Sequence, residues 1–250
     1  MNEKSLLYKA VEIIRNSNNI AVFTGAGSST ESGIADFRSE GGLWSKYDPG
    51  IYANYFYFLQ DPTKFWQMHN DLVDVLINAE PNPIHLAIVE LEKLGKVNAI
   101  ITQNIDALHQ KAGSGTYKNV PIYELHGSYL KLECIECKKE YDFEKVDSKD
   151  VKYPICDCNG FIKPKVVLFG EALPSRVLEA AIKASKECDC FLMVGSSLLV
   201  SPANYLPSVA KQNGANVIFI NREHTAMDGI ADIFLQGSGG EILSEIINLL

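Results

Sequence analysis

Apolar positions along the first 40 residues change their spacing twice. Leu6, Leu7, Ala10, Val11, Ile13 and Ile14 recur at helical intervals, which predicts one apolar face of a helix. After Asn18-Asn19 the run Ile20-Ala21-Val22-Phe23 is continuously apolar, as a buried strand would be, and it enters Gly25-Ala26-Gly27-Ser28-Ser29 directly. Short apolar runs of the same kind occur at 97–101, 166–169, 190–194, 217–220 and 233–235, with helical patterns at 83–94, 175–185 and 202–212 among them. Strands alternating with helices predict an α/β fold, a Rossmann-like doubly wound parallel sheet covered on both faces. Ligands of such sheets bind at the carboxyl ends of the strands.

Two segments break the alternation. Residues 40–80 are rich in aromatic side chains, and 129–164 hold four of the six cysteines among charged residues. Read as insertions, they divide the chain. Residues 1–42, 81–128 and 165–250 are expected to form the larger domain, built on the parallel sheet, while a helical insertion at 43–80 and a cysteine-bearing ribbon insertion at 129–164 form a smaller one.

Composition narrows the function classes. A formal net charge of −8 argues against the broad basic surface that binding nucleic acid through its phosphates requires, and any macromolecular partner is expected to be basic. No apolar stretch is long enough to span a membrane, and the first residues are amphipathic, unlike a signal peptide. Clustered rather than scattered cysteines also fit a cytoplasmic protein.

The cysteines carry the first specific chemistry. Cys134-x2-Cys137 and Cys156-x-Cys158 offer the four soft thiolates that a tetrahedral structural zinc prefers. A redox-active pair is the competing reading. The second knuckle is one residue shorter than the commoner C-x2-C, so its turn is tight and Gly160 is expected to matter. Cys188 and Cys190 begin an apolar strand and read as buried thiols.

The glycine turn fits either a nucleotide site or an ordinary tight turn. Thr30 occupies the place of the third glycine in the usual dinucleotide fingerprint, which weakens the case for a hydride-transferring dehydrogenase. Asn104 and Asp106 follow the strand at 97–101 and suit either ligand contact or capping of the next helix. His126, in Glu124-Leu125-His126-Gly127, is structural or a general base.

Taken together, GAGSSTESGIADFRS (25–39), TQNIDALH (102–109), HG (126–127), KVVLFGE (165–171), GSSLLVSP (195–202) and Asn221 resemble, in order, the signatures of the sirtuin family. Ala35 stands where that family usually has proline. The resemblance implies an NAD-dependent protein-lysine deacylase that consumes NAD and yields nicotinamide, free lysine and O-acyl-ADP-ribose. NAD would be held by Gly25, Ala26, Gly27, Ser29, Ile34, Asp36, Phe37 and Arg38, by Gln103, Asn104, Ile105 and Asp106, and by Gly195, Ser196, Ser197 and Asn221. His126 would be the general base. An acyl-lysine protein or peptide would pair with Val167, Leu168, Phe169, Gly170 and Glu171, and one structural zinc would sit on Cys134, Cys137, Cys156 and Cys158. Val167, Phe169, Phe37 and Ile105 would line an acyl channel, or else simply pack in the core. Sirtuins selective for dicarboxylic acyl groups carry a Tyr-x-x-Arg pair where this chain has His69 and Leu72, so acetyl or longer aliphatic groups are expected over succinyl. ADP-ribosyl transfer to protein and non-catalytic binding of acyl-lysine are the competing activities.

Overall fold

The computed structural model describes residues 3–37, 39, 41–143, 146 and 152–250. The chain opens with α1 (Glu3–Asn16) and β1 (Ile20–Thr24), then α2 (Leu43–Lys46), α3 (Pro49–Tyr52), α4 (Tyr55–Gln60), α5 (Thr63–Asn78) and α6 (Pro83–Lys93). Next come β2 (Val97–Thr102), α7 (Leu108–Ala112), β3 (Ile122–Glu124), β4 (Gly127–Cys134), β5 (Glu140–Asp142) and β6 (Ile162–Val166). The last part comprises α8 (Ser175–Glu187), β7 (Cys190–Val194), α9 (Leu206–Gln212), β8 (Asn216–Asn221), β9 (Ile233–Gln236) and α10 (Gly239–Leu249).

Six strands form one parallel sheet in the order β3-β2-β1-β7-β8-β9. Strand order turns back at β1, which has β2 on one side and β7 on the other. The β1 sequence explains why it can sit there: every residue is buried, and its side chains go alternately to two cores. Ile20 and Val22 join α1, α6 and α10 on one face, whereas Ala21 and Phe23 join α8 and α9 on the other. At the start of α6, Pro83 occupies the first turn, the Asn82 side chain accepts from Ile84 N at 2.9 Å, and His85 accepts from Asn82 N. Both devices satisfy donors that a helix start leaves free.

A second, antiparallel sheet has the order β5-β4-β6. Its core joins residues of both inserted stretches, Phe58, Phe65 and Trp66 with Tyr129, Leu132 and Ile162. The sheet begins at Gly127 and ends at Val166, two residues beyond the 129–164 stretch on each side. Pro164 is tolerated because β6 is an edge strand.

The apolar run at 166–169 is not a strand of the parallel sheet. β6 ends at Val166, and Phe169 instead donates its N–H to Ala53 O while its carbonyl accepts from Tyr55 N. Its side chains line a cavity, and this explains why a segment outside the sheet is apolar. The helix expected from Pro202 begins as a 3-10 turn at Ala203–Tyr205 before α9.

Candidate active site

Two cavities open at the carboxyl edge of the parallel sheet. The larger, about 670 Å3, runs from the loop after β1 to the loops after β7, β8 and β9. The smaller, about 260 Å3, lies between α5, the loop after β2 and residues 164–171. Among the described residues, Phe37, Gln103, His126 and Val200 line both.

Close approach of two loops makes the larger cavity. Gly25 N donates to Val194 O at 3.2 Å and Gly27 N to Gly195 O at 2.8 Å. A Cβ on Gly25 would lie 2.8 Å from Gly195 O, one on Gly27 2.9 Å from the same atom, and one on Gly195 2.3 Å from Ser28 N. The glycines are therefore required by backbone packing. Two N–H groups that a phosphate-binding reading of the turn would leave free are used within the fold.

Behind that loop lies a buried polar network. Asn104 Nδ2 donates to Gly25 O, Ser28 Oγ and Ser29 Oγ at 3.0–3.1 Å. Ser29 Oγ in turn donates to Asp106 Oδ2 at 2.7 Å, and Asp106 Oδ1 accepts from Leu108 N at the start of α7. Burial pushes the Asp106 carboxyl above its usual range, against the pull of those hydrogen bonds. Asn82 Nδ2 reaches Ser28 O at 2.8 Å, and His109 Nε2 meets Thr24 Oγ1 at 2.9 Å.

His126 follows β3 and is half-buried. Its Nδ1 lies 2.9 Å from Gln103 O. A carbonyl only accepts, so Nδ1 carries the proton and Nε2 keeps a lone pair. Burial lowers the pKa below the ordinary 6.5, opposed by the bond to Gln103. The neutral imidazole is thus ready to accept a proton at physiological pH.

Most of the expected cofactor residues come together. Ala26, Gly27, Ile34, Asp36, Phe37, Gln103, Asn104, Gly195, Ser196, Ser197 and Asn221 line the larger cavity. Gly25, Ser29 and Asp106 do not; they are buried behind it. Ile105 lines the smaller cavity instead, and Arg38 lies outside the described residues. Val167, Leu168, Phe169, Gly170 and Glu171 all line the smaller cavity, with Phe37, His69 and Leu72. Trp44, which stacks on Phe37 with ring centroids 5.0 Å apart, also lines it.

Sequence reasoning missed Glu31, Arg222–Ala226 and Gly237. The signal was available, because Arg222-Glu223-His224 and Gly237-Ser238-Gly239 follow β8 and β9, and open α/β sheets bind ligands at strand ends. The size of the cavity, its place at the turn-back of strand order and its glycine-rich lining fit a dinucleotide.

The thiols of Cys134, Cys137, Cys156 and Cys158 all lie within 4.8 Å of one another. Cys134 and Cys158 are 3.5 Å apart, as are Cys137 and Cys156, and all four are free thiols. Sulfurs about 2.3 Å from a tetrahedral zinc stand about 3.8 Å apart, so the cluster fits that ion. Gly160 does matter: a Cβ there would come 2.6 Å from Cys134 Sγ.

This architecture is that of NAD-handling α/β proteins with a cysteine-knuckle lobe, and comparison with known proteins gives the family. The Sir2 family model matches residues 25–202. A relative from Archaeoglobus fulgidus, named NAD-dependent protein deacylase 2, is 49% identical over 243 residues, 96% of this chain and 94% of the relative. A solved structure described under the mechanism and regulation of Sir2 enzymes superposes with a TM-score of 0.90 at 47% identity, covering 98% of this chain and 97% of the other. A Sir2 complex with a p53 peptide and NAD+ superposes with a TM-score of 0.88 at 33% identity, covering 97% and 98%. The chain belongs to the Sir2 family, the sirtuins.

Proposed function

We propose that this chain removes acyl groups from protein lysine at the expense of NAD, releasing nicotinamide and O-acyl-ADP-ribose. The carrying observation is His126, an imidazole with a free Nε2 on the wall between two cavities. The larger cavity takes NAD, which supplies an electrophilic ribose carbon with nicotinamide as leaving group. Acyl-lysine enters the smaller one along Val167–Glu171, with its amide oxygen directed at the shared wall.

Each residue then has a task. His126 accepts a proton from the ribose hydroxyl system. Gln103, whose carbonyl orients that ring and whose Nε2 donates to Ser196 Oγ at 2.7 Å, ties the loop after β2 to the loop after β7. The network from Asn82 through Asn104 to Asp106 keeps the loop after β1 in shape, so Gly25, Ser29 and Asp106 act from behind the cofactor wall. Phe37, Trp44, Ile105 and Val167 exclude water from the acyl amide. We divide the chain at 1–42, 81–128 and 165–250 for the cofactor lobe, and 43–80 with 129–164 for the lobe stapled by zinc. Cysteines gathered into a metal-binding set rather than a disulfide framework support a cytoplasmic enzyme; among the described residues no helix is long and apolar enough to cross a membrane.

The acyl preference follows from the channel wall. Among the described residues it has no Lys or Arg, and Glu171 adds a carboxylate. Burial holds His69 neutral, its pKa lowered to about 4. A succinyl group would enter without a partner, and losing a charged hydrogen bond costs about 1.5–3 kcal/mol. Nicotinamide release with NAD and acetyl, butyryl or succinyl peptides tests the reading. Acetyl and butyryl peptides should exceed succinyl by tenfold or more in kcat/KM. Absence of release with every peptide, or ADP-ribose retained on protein as the only product, would refute it.

A further inference from the structure

Residues 166–171 form a strap along the smaller cavity, and an ion pair ties Glu171 of that strap to the buried Lys163. Lys163, on β6, has a side chain only 5% exposed. Its Nζ donates to Val166 O at 2.6 Å and stands 3.2 Å from Glu171 Oε2. The same Oε2 accepts from Leu168 N at 2.7 Å, while Glu171 N donates to Leu168 O at 3.0 Å and closes the turn. Gly170 makes that turn possible with φ at +94°. One step earlier, Val167 N donates to His126 O at 2.9 Å, so the strap is fastened to the backbone of the proposed base.

A buried ammonium is a poor device for stability alone. An apolar side chain of similar size often serves as well or better, whereas a buried pair specifies one geometry. Burial lowers the Lys163 pKa and the Glu171 carboxylate opposes that, as expected of a charge kept by its partner.

We propose that Lys163 is a positioning residue for the acylated peptide, locking the turn 168–171 in the shape along which an extended peptide can pair. The proposal rests on the deacylase reading above. It touches neither reacting atom, and it assigns the charge pair to substrate affinity rather than to NAD or to zinc.

Lys163→Met in the full-length, zinc-replete enzyme tests it. The expected result is a peptide KM raised tenfold or more with NAD KM within twofold and zinc content unchanged. Lys163→Arg, which restores a cation with several donors, should return the peptide KM to within threefold of wild type. Glu171→Gln, which keeps an acceptor for Leu168 N but removes the charge pair, should reproduce the peptide-specific defect and carries the test if Lys163→Met does not fold. An unchanged peptide KM, or an equal rise in the NAD KM, overturns the proposal while leaving the activity standing. A wild-type chain that releases no nicotinamide overturns the functional reading and this proposal together.

Discussion

Replacing His126 separates proton transfer from cofactor binding. The imidazole lines both cavities, and its hydrogen bond among the described residues runs from Nδ1 to Gln103 O. His126→Ala loses that bond, about 1 kcal/mol of stability, so the fold should persist. Removing a general base lowers turnover about 100- to 10,000-fold, equivalent to about 2.7–5.4 kcal/mol of barrier. His126→Asn can still donate toward Gln103 O but accepts no ribose proton, so it should lose as much as alanine. Calorimetric titration with NAD should give affinities within a few-fold of wild type for both variants, while nicotinamide release with acetyl peptide collapses. The wild-type pH profile offers an independent check. Only the free base works, and burial lowers the His126 pKa below 6.5, so the midpoint of the acid limb of kcat/KM should lie below pH 6.5. Turnover by His126→Ala within tenfold of wild type, or a profile that breaks above pH 7, would refute the assignment.

Two further outcomes concern metal and acid. The enzyme purified without chelator should contain one zinc per chain by atomic absorption, and Cys158→Ser should lose it together with thermal stability; metal-free wild type of full stability would contradict the cluster's role. His69 and His85 are held neutral by burial with pKa values of about 4, and His109 with about 3. The unfolded chain takes up protons on these rings from about pH 6.5 downward and the native state only much lower, so their stabilisation is complete above 6.5 and lost as pH falls. This amounts to about 2 kcal/mol per ring between pH 7.5 and 5. Equal urea midpoints at those two pH values would rule it out.

Continuous apolar runs made the parallel sheet legible, because strands buried on both faces leave little doubt about which residues are inside. β3 was not legible, being three half-buried residues with no period to read. Ligand-lining segments gave the opposite error: 166–169 is as apolar as a core strand because it lines a channel. The segments that meet at the two cavities were readable from their order, but the orientation of their residues was not. Nothing in the sequence tells that Gly25 and Gly27 face Gly195, or that Asp106 turns from the cavity toward Ser29. Arg222–Ala226 carry no motif of their own, and only their position past the end of β8, where ligands of such sheets bind, points to them.

Phe37, Gln103, His126 and Val200 form a partition belonging to two compartments at once. A single synthetic molecule that joins a nucleoside fragment to an acylated amine across this partition would occupy both with one loss of translational freedom. The second fragment would then face an effective concentration in the millimolar range for a short flexible tether. The acyl half of such a molecule would meet His69 and Leu72 on the channel wall.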